Sequence, residues 1–234
     1  MIQAIVPSAG KGERLGSRVE KPYVLLTGIP IVVRTLRVLE SVKEISSILL
    51  VVSRSWYKRI QKEILQPYRL KRVSSVIIGG ETRMESVYAG LSSLDQRTHL
   101  VLVHDAARPL VRIGEILKLI YWAEQVRAVC SGVMPKDTIK EVNGASWVQK
   151  TLDRKNLRAI LTPQVFRREI LIKAYEHAFK EGYTGTDDSS LVERLGVKIK
   201  VIEGDRENIK ITTPEDLVLA EAILKKRRDR GEKH

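Results

Sequence analysis

Cysteine is nearly missing: Cys130 is the single one in 234 residues. An intrachain disulfide is therefore excluded, and such usage points to the reducing cytoplasm. No apolar run comes near the roughly 20 residues that a membrane-crossing helix needs. The opening Met1–Pro7 stretch lacks a basic lead and is too short for a secretory signal. Aromatic residues are scarce, at 5%, and no basic stretch is interleaved with them. A single-strand nucleic-acid groove would want such stacking platforms. Helix-turn-helix, zinc-finger and RNP signatures are absent as well. No zinc-ligand spacing, Ser-His-Asp set or Cys-His pair is legible. Neither a membrane nor a nucleic-acid partner is expected.

What the chain does carry is positive charge, with 41 Lys and Arg against 28 Asp and Glu, a formal +13. Such a surplus attracts anions, phosphorylated small molecules among them. Part of it lies in Lys225, Lys226, Arg227, Arg228 and Arg230, which read as a solvated tail. Strand-like runs at Ala4–Val6, Ile48–Val52, Val73–Ile78, Leu100–Val103 and Val129–Val133 alternate with helical spacing at Ile31–Leu39, Tyr57–Leu65, Met84–Leu94 and Glu115–Trp122. Pro30 suits the first turn of the first helix. This rhythm predicts an α/β fold: a doubly wound, mostly parallel, Rossmann-like sheet with ligands beyond the carboxyl ends of its strands.

The rhythm breaks near residue 135. Two polar extended runs, Thr138–Val142 and Ser146–Thr151, flank Asn143-Gly144-Ala145. Asn-Gly signals a hairpin because both residues tolerate positive φ. With so little apolar content, this hairpin is expected to project as an arm at about residues 136–155 of a single domain spanning 1–234. Helices are expected near Arg167–Glu181 and Ser189–Leu195, and strands near Lys198–Ile202 and Ile209–Ile211. A last helix begins at Pro214, with Thr213 as its N-cap.

Four segments carry chemistry. Pro7-Ser8-Ala9-Gly10-Lys11-Gly12-Glu13-Arg14-Leu15-Gly16 follows the first strand. Its small residues let backbone N–H groups approach a phosphate. It is not a P-loop, since Gly-Lys-Ser/Thr is missing. Nor is it a dinucleotide fingerprint: Leu15 replaces a glycine, and the second strand ends in Ser53 and Arg54 rather than an acid. Arg14 and Lys21 beyond it suit charge neutralisation in phosphoryl or nucleotidyl transfer. The second segment is His104-Asp105-Ala106-Ala107-Arg108-Pro109, where Asp105 could hold Mg²⁺ or its water shell beside a triphosphate. His104 alone reads as a packed histidine. The third, Gly79-Gly80-Glu81-Thr82-Arg83-Met84-Glu85-Ser86-Val87, is a glycine turn opening a helix, with Ser86 one turn in. In the fourth, around Asn208-Ile209-Lys210-Ile211, alternation turns Lys210 away from its apolar neighbours.

Together these segments resemble the 2-C-methyl-D-erythritol 4-phosphate cytidylyltransferase family of the non-mevalonate isoprenoid pathway. The resemblance runs from Ala4 to about Leu224. It also includes Lys21-Pro22-Tyr23, Asp137-Thr138-Ile139-Lys140, Asp153-Arg154, Leu161-Thr162-Pro163-Gln164 and Thr186-Asp187-Asp188. Two departures are mild: the family usually has alanine at Ser8 and often glutamine at Pro22. The resemblance implies a reaction of CTP with the polyol phosphate, a Mg²⁺ cofactor, and a homodimer clasped through the arm. It implies no fused second domain.

It also implies roles for single residues. Arg14 and Lys21 would stabilise the five-coordinate phosphorus and the leaving pyrophosphate. Arg154 and Lys210 would hold the acceptor phosphate. Asp105, Arg108, Thr138 and Thr162 would line the polyol end. Ser8, Ala9, Gly10, Gly12, Gly80, Glu81, Ser86 and backbone near Ala106 would frame the nucleotide. Thr138 and Arg154 are expected to act on the neighbouring subunit's substrate. A ribitol 5-phosphate cytidylyltransferase of the same fold is the alternative, which only the polyol-side residues would separate. A basic nucleic-acid-binding domain would leave the phosphate loop unexplained.

Overall fold

The computed structural model describes residues 1–10 and 20–232. β1 (Ile2–Pro7) leads to a short antiparallel ribbon, β2 (Leu25–Leu26) and β3 (Ile29–Pro30), and then to α1 (Ile31–Ser41). β4 (Ile45–Val52), α2 (Arg54–Tyr57), β5 (Val73–Ile78), α3 (Arg83–Leu91), β6 (Leu100–Val103), α4 (Ile113–Gln125) and β7 (Ala128–Val133) continue the alternation. The arm strands β8 (Lys140–Val142) and β9 (Val148–Thr151) follow, then β10 (Ala159–Arg167), α5 (Arg168–Lys180), α6 (Asp188–Arg194), β11 (Lys200–Glu203) and α7 (Pro214–Asp229).

Seven strands form one sheet in the order β11-β7-β10-β6-β1-β4-β5. Ala4, Ile5, Val6 and Leu100 through Val103 are fully buried, as expected for central strands covered on both faces. Apolar clusters fill both sides. One gathers Val32, Leu36, Leu50, Leu102 and Ile116; the other gathers Ile5, Val87, Val101, Phe166 and Leu171.

Five features depart from the sequence reading or were not assigned by it. β10 is a full strand inside the sheet, antiparallel to both β6 and β7. Pro163 argues against a central strand because it offers no N–H. The chain accommodates it with a bulge: Ile160 pairs Gly132 and Gln164 pairs Cys130, so Leu161, Thr162 and Pro163 face Ser131 alone. Second, residues 209–211 form no strand; Ile211 makes one backbone bond, to the Ala107 carbonyl. Third, Pro30 is the N-cap of α1 rather than part of its first turn. Fourth, the helix expected over Tyr57–Leu65 is divided, with α2 ending at Tyr57 and a π-helical stretch running over Gln61–Leu65.

Fifth, the basic tail is not wholly solvated. α7 continues through it, and its period turns Arg227 inward with Ile223 and Leu224. The Arg227 guanidinium donates to the Leu110 carbonyl and to Glu207, and Lys226 also reaches Glu207. By contrast, the expected Thr213 N-cap is present as a capping box with Asp216.

Candidate active site

The loops that leave β1, β5 and β6 border one cavity of about 720 Å³ at the carboxyl ends of those strands. Ser8, Ala9 and Gly10 line it after β1, Gly80, Glu81 and Ser86 after β5, and Asp105 and Ala106 after β6. Lys21 and Lys210 line it too, so ten of the residues expected from sequence meet in one place.

Close backbone packing builds one wall of the cavity. Ser8 uses both its N–H (2.7 Å) and its hydroxyl (2.9 Å) on the Val51 carbonyl. A Cβ on Gly79 would stand 2.6 Å from Ser86 Oγ and 2.7 Å from Ala9 Cβ, so only glycine lets the exit of β5 touch both the loop after β1 and helix α3. Gly80 is similarly confined by Glu85. Thr82 caps α3 in a reciprocal box with Glu85, which fixes where the helix begins. Lys21 opens a 3₁₀ turn, Lys21–Tyr23. Tyr23 stacks on Trp56 with ring centroids 3.4 Å apart, and the preceding Glu20 accepts hydrogen bonds from Ser53 and Ser55. These contacts hold the backbone from which Lys21 projects.

The other wall is electrostatic. Arg83 Nε donates to Asp105 Oδ1 at 2.9 Å, and Lys210 Nζ meets Asp105 Oδ2 at 2.7 Å. The same Arg83 forks onto Asp188 through Nη1 (3.0 Å) and Nη2 (2.7 Å). Burial alone would raise the Asp105 carboxyl, but the Arg83 and Lys210 cations outweigh it and hold the group well below the usual carboxylate range. An anion so stabilised is a poor proton acceptor. Burial pushes His104 down to about 4, so its imidazole is neutral at pH 7. Its ring meets the Arg108 carbonyl and Thr162 Oγ1. It is the packed histidine that the sequence indicated.

Several expected residues lie elsewhere. Thr162 is buried behind the wall, where its Oγ1 accepts from the Asp105 N–H at 3.1 Å; the β10 bulge brings it there. Arg108 turns away from the cavity and donates to the Asn208 carbonyl at 2.7 Å, which braces the segment carrying Lys210. Thr138 and Arg154 are exposed on the arm, and Arg154 donates to the Lys136 carbonyl. Gly12 and Arg14 fall outside the described residues. Sequence reasoning missed Arg83, Gly79 and Thr82, although all three sat inside the Gly79–Val87 motif. Arg83 carried no local signal, because its partners lie 22 and 105 residues away.

A magnesium ion prefers oxygen ligands in octahedral array. Both Asp105 oxygens already meet cations, and no three His, Cys, Asp or Glu side chains converge among the described residues. Asp105 therefore does not fit as a direct metal ligand; the sequence reading allows either the ion or its water shell.

The family model described as IspD, 2-C-methyl-D-erythritol 4-phosphate cytidylyltransferase, matches residues 2–226. The 2-C-methyl-D-erythritol 4-phosphate cytidylyltransferase of Desulforamulus reducens is 45% identical over 97% of both chains. That of Geobacillus kaustophilus is 45% identical over 96% of this chain and 97% of its own. The crystal structure of 4-diphosphocytidyl-2C-methyl-D-erythritol synthase from Anaerococcus prevotii is 34% identical and superposes with a TM-score of 0.86 over 96% of each chain.

Proposed function

The chain belongs to the 2-C-methyl-D-erythritol 4-phosphate cytidylyltransferase family, and from that premise we propose how its residues divide the reaction. The activity is the condensation of CTP with 2-C-methyl-D-erythritol 4-phosphate, which yields the diphosphocytidyl polyol and pyrophosphate for isoprenoid synthesis. The acceptor phosphate is already an anionic nucleophile, so the enzyme must position and neutralise rather than abstract a proton. The observation that carries this division is a cavity holding Lys21 and Lys210 together, in which Asp105 is locked as an anion between two cations.

In this reading Gly80, Glu81 and Ser86 frame the cytidine. Ser8, Ala9 and Gly10 offer backbone to the triphosphate. Lys21, together with Arg14, neutralises charge as pyrophosphate leaves, and Lys210 holds the acceptor phosphate. Asp105 serves as the counter-ion of Lys210. The arm completes the site in trans. Thr138 and Arg154 are solvent-facing on their own chain, and Trp147 at the arm tip is 75% exposed, which supports two arms clasped in a two-fold dimer.

The test is pyrophosphate release across the four nucleoside triphosphates and several polyol phosphates. CTP with 2-C-methyl-D-erythritol 4-phosphate should be turned over fastest. Equal or better turnover with ribitol 5-phosphate would reassign the acceptor.

A further inference from the structure

Thr186-Asp187-Asp188 is a motif for which the division of labour above has no use. The fold gives its two acids separate tasks. Asp187 is the N-cap of α6, in a capping box with Ser190, and accepts from the Gln164 amide at 2.7 Å. Asp188, the first residue of that helix, has a side chain with no solvent exposure. A carboxylate so buried must be paired. Its partners are the Arg83 fork and the Tyr175 hydroxyl.

A guanidinium gripped on two nitrogens by a buried carboxylate has little freedom left, because the fork is planar and both contacts are directional. That leaves Arg83 Nε facing Asp105 Oδ1, and Asp105 Oδ2 facing Lys210 Nζ. The chain Tyr175–Asp188–Arg83–Asp105–Lys210 thus runs from the core of α5 to the cavity. We propose that Arg83, anchored by Asp188, is a positioning residue for the reaction: it fixes the Asp105 carboxylate in the orientation that aims Lys210 at the acceptor phosphate.

Arg83 also lines the cavity, but the residues assigned to the nucleotide are held by other contacts. Gly79 and Gly80 are set by backbone packing, Thr82 by its capping box, and Ser86 Oγ by the Thr82 carbonyl at 2.9 Å. Losing Arg83 would free Asp105 to swing both oxygens onto Lys210. It would also leave Asp188 buried without its cation. The effect should fall on the acceptor and spare CTP.

This inference rests on the acceptor being 2-C-methyl-D-erythritol 4-phosphate, and wild-type turnover of that compound with CTP is the control that tests the premise separately. Arg83→Gln should lower kcat/KM for the acceptor on the order of 10²-fold, as a misaligned reacting group does. The KM for CTP should stay within about threefold, since uniform nucleotide binding is untouched. Arg83→Lys should not restore activity, because an ammonium cannot span both carboxylates. Asp188→Asn should shift the acceptor constants in the same direction by less.

A pH profile separates positioning from mere support. Asp105 faces Arg83, Lys210, Arg108 and the neutral His104. With Arg83 gone, the depressed carboxyl moves up, so activity should fail at a higher pH on the acid side than in wild type. If the Gln and Asn variants do not fold, Tyr175→Phe deletes only the hydroxyl and should still raise the acceptor KM without moving the CTP KM. The proposal is overturned if CTP and acceptor KM rise together. It is equally overturned if the folded variants lose thermal stability with acceptor constants and acid limb unchanged.

Discussion

Around Asp105 and Asp188 the charges are buried and cross-linked, each with a named partner from a distant part of the chain. On the arm every residue of β8 and β9 is exposed, and the strands pair only with each other. Both regions carry residues of the expected site. The cavity wall is held by carboxylate–guanidinium forks and glycine contacts that need no second molecule. The arm is a two-stranded ribbon, and such ribbons are marginal in water by themselves. It shows Val142, Trp147 and Val148 to solvent. The contrast teaches that the described cavity wall is cross-linked within the chain, while the arm has no packing partner among the described residues beyond its own two strands.

The sharpest way to break that contrast is to remove a cation from each half. Lys21→Ala and Lys210→Ala should lower kcat on the order of 10²–10³-fold, the usual cost of losing a group that neutralises transition-state charge. No second subunit should rescue the loss in the same site. Near-normal steady-state kcat in either variant would remove that residue from the chemistry.

Arg154→Ala should be as inactive alone, yet recover in company. Mixed with Lys21→Ala at equal amounts, about half the dimers are mixed and each has one intact site, so roughly a quarter of wild-type activity should return. Verified subunit exchange with background activity would show that Arg154 acts within its own chain.

Trp147→Ser tests the arm as an interface without touching a proposed substrate contact. Trp at an interface centre often contributes 2 kcal/mol or more, so dimer dissociation should rise by about thirtyfold. Sedentary behaviour of the dimer in analytical ultracentrifugation across a dilution series would place the contact elsewhere. The smallest effect is expected at Thr213→Ala, which removes the α7 cap next to the Lys210 segment. It should cost about 1 kcal/mol in denaturant unfolding and leave kcat near wild type. A large kinetic effect would mean that the α7 start tunes Lys210.

The arm itself shows how local signals can succeed for the wrong reason. Asn143-Gly144 did mark a hairpin, but positive φ occurs at Ser146, at 63°, and not at either of those two residues. The Asn143 side chain instead accepts from the Ala145 and Trp147 N–H groups, which makes a longer loop between Val142 and Val148. A side-chain acceptor two and four residues from its donors does what the expected backbone geometry would have done.

Much of this protein was written in short stretches of chain. Short apolar runs and period-3.6 patterns marked the parallel strands and most helices, and small residues after β1 and β5 marked the loops that line the cavity, because close backbone approach depends on residues next to one another. Lys210 was singled out by an alternation that presumed a strand; residues 209–211 form none, and packing brings Lys210 to the cavity. Three things were settled only by tertiary packing. β10 enters the sheet between β6 and β7 despite Pro163, since its neighbours satisfy the remaining backbone groups around a bulge. Arg227 became a core strut because α7 lies over Glu207 and Leu110. Arg83 joined Asp105 to Asp188 across 22 and 105 residues of chain. A buried ion pair is specified by which charges the fold removes from water together, and no window of sequence contains that information.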